Sequence, residues 1–385
     1  RPPTADIQIT FGPGAEGNED VQNAFEFALE IWSREIVSSV PIQVFADFAD
    51  LGPGVLASAG PTTFFSNFPG APQEDVFYPV ALANSLAGED LAPDTPFDLV
   101  VNLGNGIPFY FGTDGNTPAG LFDFVTIALH EAGHGLGFID GGTVDGNGVG
   151  SINGPITFDL FVVDGNGVRA LDLPNPSPEL GAFYTSGNVF ADGQFAVAAL
   201  GGTLPQLFAP NPFQGGSSIA HWDEATFPAG DPNSLMSPQV GASESIFNIG
   251  DITRGHFRDM GWVIANQAPV AVAPGNATFD LPTEESTTLE FNITNIAAEL
   301  ATVTIATNEG STLITEIVPA ELQLALAEST TFQVTFSAAG IASGIFDETL
   351  IITTAESELV SEVPITVRVL DGSEIPEFSV NPESF

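Results

Sequence analysis

Two periodicities run along the chain, and the change from one to the other falls near residue 266. Residues 5–10 alternate apolar and polar, the pattern of a half-buried strand. Val21, Ala24, Phe25, Ala28, Leu29, Trp32 and Ile36 recur at three- and four-residue steps, which predicts an amphipathic helix over 19–38 capped by Asn18 or Asp20. Residues 41–48 alternate again as a strand. A Gly/Pro-rich loop then runs to residue 70, and 76–87 carry a fainter helical stripe. Residues 97–103 predict a strand and 104–120 are rich in turn formers. Over 121–136, Phe122, Val125, Leu129 and Ala132 mark the apolar face of a third helix. The alternation of strands and helices predicts a mixed α/β (α+β) domain.

From 141 to 250 the chain reads as a long loop segment rich in Gly, Pro, Asn and Asp, with short apolar pieces at 158–163 and 195–200. Irregular stretches of that length in a compact domain usually serve a purpose. Residues 251–264 predict a short closing helix, capped by Asp251 or Thr253 and ending near Gly261. Residues 266–274 read as a linker. Beyond them Thr and Glu rise and period-two runs appear at 288–293, 302–305, 331–336 and 363–369, which predicts an all-β immunoglobulin-like sandwich. The expected domains are therefore 1–265 and 266–371. Val272-Ala273-Pro274 followed by Ala277-Thr278-Phe279 is echoed by Val380-Asn381-Pro382 and Ser384-Phe385, so 372–385 are expected to be a linker and the first strand of a further sandwich repeat.

Composition narrows the function classes. Among 385 residues there are 49 acidic and 6 basic side chains, a formal net charge of −43; the basic ones are all arginines, and lysine is absent. Such a surface repels nucleic acid and anionic lipid, and its self-repulsion calls for salt or bound cations. There is no cysteine, hence neither a disulfide framework nor a thiolate metal site. No run of 18 apolar residues predicts a membrane span. The opening at Arg1, without a signal-peptide pattern, is read as that of a processed, secreted chain.

The candidate chemistry lies in His130-Glu131-Ala132-Gly133-His134. Residues four apart share one helix face, so His130 and His134 are placed to hold one Zn²⁺ and Glu131 to take a proton from water beside it. Catalytic zinc commonly has three protein ligands. Two residues compete for the third position. Asp140 follows Gly137, which lets the chain leave the helix and swing residue 140 back. His221 lies far along the chain but just before Ser234-Leu235-Met236-Ser237-Pro238. Imidazole is the commoner zinc ligand in such sites, so His221 is preferred, with Asp140 the alternative.

These motifs resemble a metzincin, with Met236 in a segment similar to the clan's Met-turn. The long insertion before a third histidine is similar to the leishmanolysin arrangement. Tyr110 to Asn116, the His-Glu-x-x-His helix, the His221 segment and Arg258-Asp259-Met260-Gly261-Trp262 together resemble secreted bacterial metallopeptidases over residues 5–264. Metzincins usually carry a histidine where this chain has Asp140, and an aspartate there resembles the snapalysin type. The resemblance implies a secreted zinc endopeptidase acting on protein or peptide substrates without a covalent enzyme intermediate. In it the strand 97–103 would pair with extended substrate, and residues 237–250 would shape the pocket beyond the scissile bond. Asp223 or Glu224 is expected to orient a ligand imidazole, and His256 is given no role.

The turns Asp114-Gly115-Asn116, Asp145-Gly146-Asn147-Gly148 and Asp164-Gly165-Asn166-Gly167 offer oxygen ligands for Ca²⁺, although Asp-Gly and Asn-Gly also favour plain hairpin turns. A competing reading is a non-catalytic surface or matrix protein that uses a peptidase-like scaffold. In both readings the C-terminal sandwich is expected to serve attachment or self-assembly.

Overall fold

Strands Ile7–Phe11 and Ile42–Ala49 pair in parallel, Ile7 opposite Ile42, and the helix Glu19–Glu35 connects them. These elements come from a computed structural model that describes residues 3–265 and 270–371, the latter without 275, 296–299, 309, 326–327 and 356. Asn18 caps the helix by accepting from the Val21 N–H, and Val21, Ala24, Phe25, Ala28, Leu29 and Trp32 are all buried. The helix ends earlier than its periodicity predicts. Ile36–Val37 are drawn instead into a short antiparallel pair with Val263–Ile264, where Ile36 is fully buried and Val37 partly so. Tertiary pairing here outweighs local propensity.

The main sheet runs Ile7–Phe11, Ile42–Ala49, Leu99–Gly104, Ala57–Pro61. The first three strands are parallel and the fourth is antiparallel, with Ala57 opposite Leu103. Leu99–Gly104 is thus paired on both sides, which corrects the expectation that it offers an edge to substrate. On that side the edge strand is Ala57–Pro61, a segment whose Ala, Ser, Gly and Pro carry little strand propensity.

Residues 141–250 are more regular than their composition suggests. They contain the hairpin Gly142–Val144 with Gly150–Ile152 and a three-stranded sheet of Val162–Asp164, Val189–Ala191 and Gln206–Leu207. Between these lie the short helices Pro178–Tyr184 and Gln194–Ala199 and the 3₁₀ turn Thr157–Phe161. The elements are two to seven residues long, too short for a period to stand out in sequence. The closing helix Asp251–Asp259 starts from Gly250 rather than from a side-chain cap.

All three tryptophans are buried here and tie the unit together by their indole N–H groups. Trp32 donates to the Leu129 carbonyl at 2.8 Å, Trp262 to the Leu136 carbonyl at 3.0 Å and Trp222 to Thr253 Oγ1 at 3.0 Å. The first two acceptors lie on the helix Phe124–Leu136, which carries the His-Glu-x-x-His motif.

The chain divides into two compact units, Arg1–Ala265 and Asn266–Phe385. In the second, one sheet runs Val270–Ala273, Ser286–Asn295, Ser329–Ser337, Ile314–Val318. The other runs Ala277–Pro282, Ser357–Leu370, Gly344–Thr354, Ala301–Thr307, Glu321–Leu324. Phe291, Ile293, Val303, Phe332, Val334, Leu350, Ile365 and Val367 from both sheets form one core, so the unit is a β-sandwich. The period-two runs at 288–293, 302–305, 331–336 and 363–369 all lie within its strands. Val270–Ala273, expected as linker, is a strand paired to Ser286–Asn295. The expected extra strand within 372–385 lies outside the described residues. Among the described residues no helix is long and apolar enough to cross a membrane.

Candidate metal centre

The helix Phe124–Leu136 begins at Asp123, whose side chain accepts from the Thr126 N–H at 2.7 Å. Its apolar side packs on the main sheet, and its glycines permit close approach. A Cβ at Gly133 would stand 2.8 Å from Met236 Sδ and 3.3 Å from the Trp32 ring. Met236, in the turn Ser234–Met236, is fully buried beneath the helix. At Gly137 the backbone takes a φ of +127°, the conformation that releases the chain from the helix.

His130 and His134 project from one helix face, and His221 arrives from the long excursion after it. Their Nε2 atoms form a triangle with edges of 2.9 Å (His130–His134), 3.2 Å (His134–His221) and 3.2 Å (His130–His221). Each ring has its other nitrogen on a backbone carbonyl. His130 Nδ1 meets Leu235 O at 2.6 Å, His134 Nδ1 meets Phe138 O at 2.7 Å and His221 Nδ1 meets Ser217 O at 2.8 Å. A carbonyl oxygen only accepts, so each Nδ1 carries the proton and each neutral ring turns a lone pair on Nε2 toward the other two.

Three lone pairs at such distances repel unless a cation lies among them. A tetrahedral ion with metal–nitrogen bonds of ~2.05 Å sets its ligand nitrogens ~3.3 Å apart, close to the triangle present here. Carbonyl acceptors on the far nitrogens are also what fixes the tautomer of metal-binding histidines. The donor set fits a metal ion, and among the described residues these are the one group of three or more His, Asp or Glu side chains close enough to share one.

Burial keeps the rings neutral. It lowers the basicity of all three, that of His134 to about 3 with His130 adding to the effect, and that of His221 well below the ordinary imidazole value. Glu131 follows on the same helix, 7 % exposed, and burial raises its carboxyl to about 8. A divalent cation at the nearby nitrogens would act in the opposite direction and favour the carboxylate.

The histidines and Glu131 open on a cleft of about 650 Å³. Residues 54–59, which include Ala57, Ser58 and Ala59 of the edge strand, form part of its lining; Ser237 to Val240 and Ile246 form another part. Among the described residues the site's own side chains are the only ionisable groups along it, although the chain carries 49 acidic side chains.

The site brings together His130, Glu131, His134, His221 and the Met236 turn, and leaves Asp140 outside the histidine group. Asp140 accepts from the Gly142 N–H at 2.9 Å. Asp223 orients no imidazole either: it accepts from the Thr226 N–H and hydroxyl, both at 2.9 Å, while the Ser217 carbonyl holds His221. Those three backbone acceptors and the edge strand 57–61 were beyond sequence reasoning, because neither depends on the identity of a side chain.

The expected calcium turns hold their own backbone. Asp145 Oδ1 accepts from the N–H groups of Asn147 at 2.8 Å and Val149 at 2.9 Å. Asp164 Oδ1 does the same with Asn166 at 2.9 Å and Val168 at 2.8 Å. His256 is fully buried in a ring of aromatic side chains, and both its nitrogens lack a hydrogen-bond partner.

No protein-family model matches the chain, and no curated protein matches it in sequence. Solved structures are similar over about a quarter of it. One is the ASH/PapD-like domain of human CEP192, 8 % identical over 27 % of this chain and 87 % of that one, with a TM-score of 0.23. Another is a protein of unknown function from Porphyromonas gingivalis, 15 % identical over 28 % of this chain and 51 % of that one, with a TM-score of 0.25. A third is SSP-19, an MSP-domain-like protein of Caenorhabditis elegans, 12 % identical over 26 % of this chain and 98 % of that one, with a TM-score of 0.20. Likenesses this slight leave function to be argued from the site itself.

Proposed function

We propose that the unit Arg1–Ala265 is a zinc-dependent endopeptidase of metzincin type, with Glu131 as its general base. The observation that carries the reading is the triangle of Nε2 lone pairs beside a buried carboxyl, at the floor of a cleft bordered by a free strand edge. Zinc suits three imidazoles and one open position, and when bound it polarises a carbonyl and acidifies water toward neutral pH.

The chain's own residues supply the rest. The outward N–H and C=O groups of Ala57–Gly60 and the carbonyl of Pro61, which has no N–H, pair with an extended peptide and lay its scissile bond across the histidines. Glu131 takes a proton from the attacking water as its oxygen adds to the carbonyl carbon. The same carboxyl delivers that proton to the amide nitrogen as the carbon–nitrogen bond breaks. The Leu235, Phe138 and Ser217 carbonyls keep the imidazoles in one tautomer throughout.

A secreted setting belongs to the same proposal, as does a role for the immunoglobulin-like sandwich in attachment or self-assembly. It rests on the absence of cysteine, the net charge of −43 and the separateness of the second unit.

The test is Glu131→Gln, which keeps shape and removes the base. The variant is expected to bind zinc with wild-type stoichiometry and to lose hydrolysis of casein by about 10²-fold or more. Near-normal turnover would exclude Glu131 as the base, and a wild-type protein inert with bound zinc would return the chain to the scaffold reading.

A further inference from the structure

Three oxygen-bearing side chains converge on the dipeptide Gly141–Gly142, just past the end of the histidine helix. Asp159 approaches the Gly141 N–H with both oxygens, at 3.0 and 3.2 Å, and also accepts from the Ile156 N–H at 2.8 Å. Asp140 accepts from the Gly142 N–H at 2.9 Å. The Tyr184 ring lies against Gly142 so closely that a Cβ there would stand 2.7 Å from the phenol oxygen. The Gly154 carbonyl borders the same place, 3.2 Å from where a Cβ of Gly141 would lie and on the side that Asp159 Oδ2 occupies.

Two facts set this cluster apart from ordinary loop chemistry. Tyr184 is fully buried, yet its hydroxyl has no hydrogen-bond partner. A buried phenol normally finds an acceptor, and leaving it unpaired is destabilising. The second fact is charge. Asp159 is 1 % exposed and acts electrostatically on both Asp140 and Tyr184, but no arginine is among the groups acting on either carboxyl, and the chain has no lysine. Two carboxylates in such a place repel each other and lack a counter-charge.

We propose that Asp140, Asp159, Tyr184 and the Gly154 carbonyl form a second cation site, built of oxygen alone, which takes a hard divalent ion of the calcium class. Calcium accepts six to eight oxygens at ~2.3–2.6 Å in loose geometry, so carboxylates, a carbonyl and water around a partly open Asp140 suit it better than they suit zinc. Burial raises both carboxyls, Asp159 to about 6 with Ile156 and Gly141 opposing, and Asp140 well above its usual value with Asp159 adding to the effect. A cation reverses that pressure. The ion would fasten the turn from Gly137 to Gly142, and the Phe138 carbonyl that holds His134 is part of that turn. The site is independent of peptidase activity.

The experiment is a terbium titration of the zinc-loaded full-length protein, read by tyrosine-sensitised emission and followed by displacement with calcium. The chain has three tyrosines, and Tyr110 also touches a carboxylate, Asp114, so Tyr110→Phe is the control. Wild type is expected to bind one terbium with sensitised emission that calcium displaces and equal ionic strength of sodium does not. Tyr184→Phe should lose most of that emission, Tyr110→Phe should keep it, and Asp140→Asn should weaken binding by about ten-fold or more with zinc content unchanged. Asp140 is the partly exposed carboxylate, so its replacement keeps the test usable if Asp159→Asn fails to fold. Absence of calcium-displaceable emission overturns the proposal, as does emission that follows Tyr110 or survives unchanged in Asp140→Asn.

Discussion

His256 should add to the acid lability of the first unit, and replacing it with leucine should remove that one contribution. It lies on the helix Asp251–Asp259, fully buried, with ring centroids of Phe158 at 4.6 Å, Phe138 and Trp222 at 5.5 Å and Phe161 at 5.8 Å. Neither nitrogen has a partner, and burial lowers its basicity to about 3. The native ring therefore stays neutral while the unfolded ring takes a proton below pH ~6.5. Between those values the unfolded state binds the extra proton, so stability is full above pH ~6.5 and is lost as pH falls toward 3.

A difference of about 3.5 units corresponds to at most ~5 kcal/mol over that window, with a limiting slope of ~1.4 kcal/mol per pH unit. His256→Leu removes this proton and two unsatisfied nitrogens at similar volume. It should raise stability at pH 7 by about 1–3 kcal/mol and flatten the acid limb by the slope of one proton. The assay is urea unfolding from pH 7 to 4, followed by tryptophan fluorescence. Trp32, Trp222 and Trp262 all lie in the first unit, so the signal reports that unit alone. A chelator keeps both proteins metal-free, so the three site histidines contribute equally and cancel in the comparison. A variant no more stable at pH 7, or one that keeps the wild-type acid slope, would refute the reasoning.

His221→Ala should lower bound zinc from one equivalent toward zero at micromolar protein, and Asp140→Ala should retain it; metal analysis after dialysis decides, and the reverse pattern would return the third position to Asp140. Gly133→Ala places a Cβ 2.8 Å from Met236 Sδ and should destabilise the first unit by about 1–3 kcal/mol, measured by the same urea assay. Asp123 caps the histidine helix and also accepts from Thr117 Oγ1 at 2.6 Å and Ser245 Oγ at 3.2 Å. Asp123→Ala should therefore cost about 2–4 kcal/mol, and a loss under 1 kcal/mol would show that water replaces the network.

Sequence alone determined what is local. The four-residue spacing of His130 and His134 fixes their shared helix face, because every α-helix repeats at that interval. Gly137 marks where the helix lets go, since a φ of +127° suits glycine far better than other residues. The runs from 288 to 369 announce strands because a half-buried sheet forces alternation.

Tertiary structure decided the rest. His221 stands 87 residues from His134, across elements too short to show a period; ligand chemistry favoured it over Asp140, but only folding brings its ring to the other two. Strand Ala57–Pro61 exists because Leu99–Gly104 offers it hydrogen bonds, not because its small residues prefer extension. Ile36 and Val37 leave a helical pattern for a strand partner more than 220 residues away. The backbone carbonyls that orient the three histidines are groups every residue carries; those of Phe138 and Ser217 lie four residues from the ring they hold, whereas the Leu235 carbonyl reaches His130 only through long-range packing.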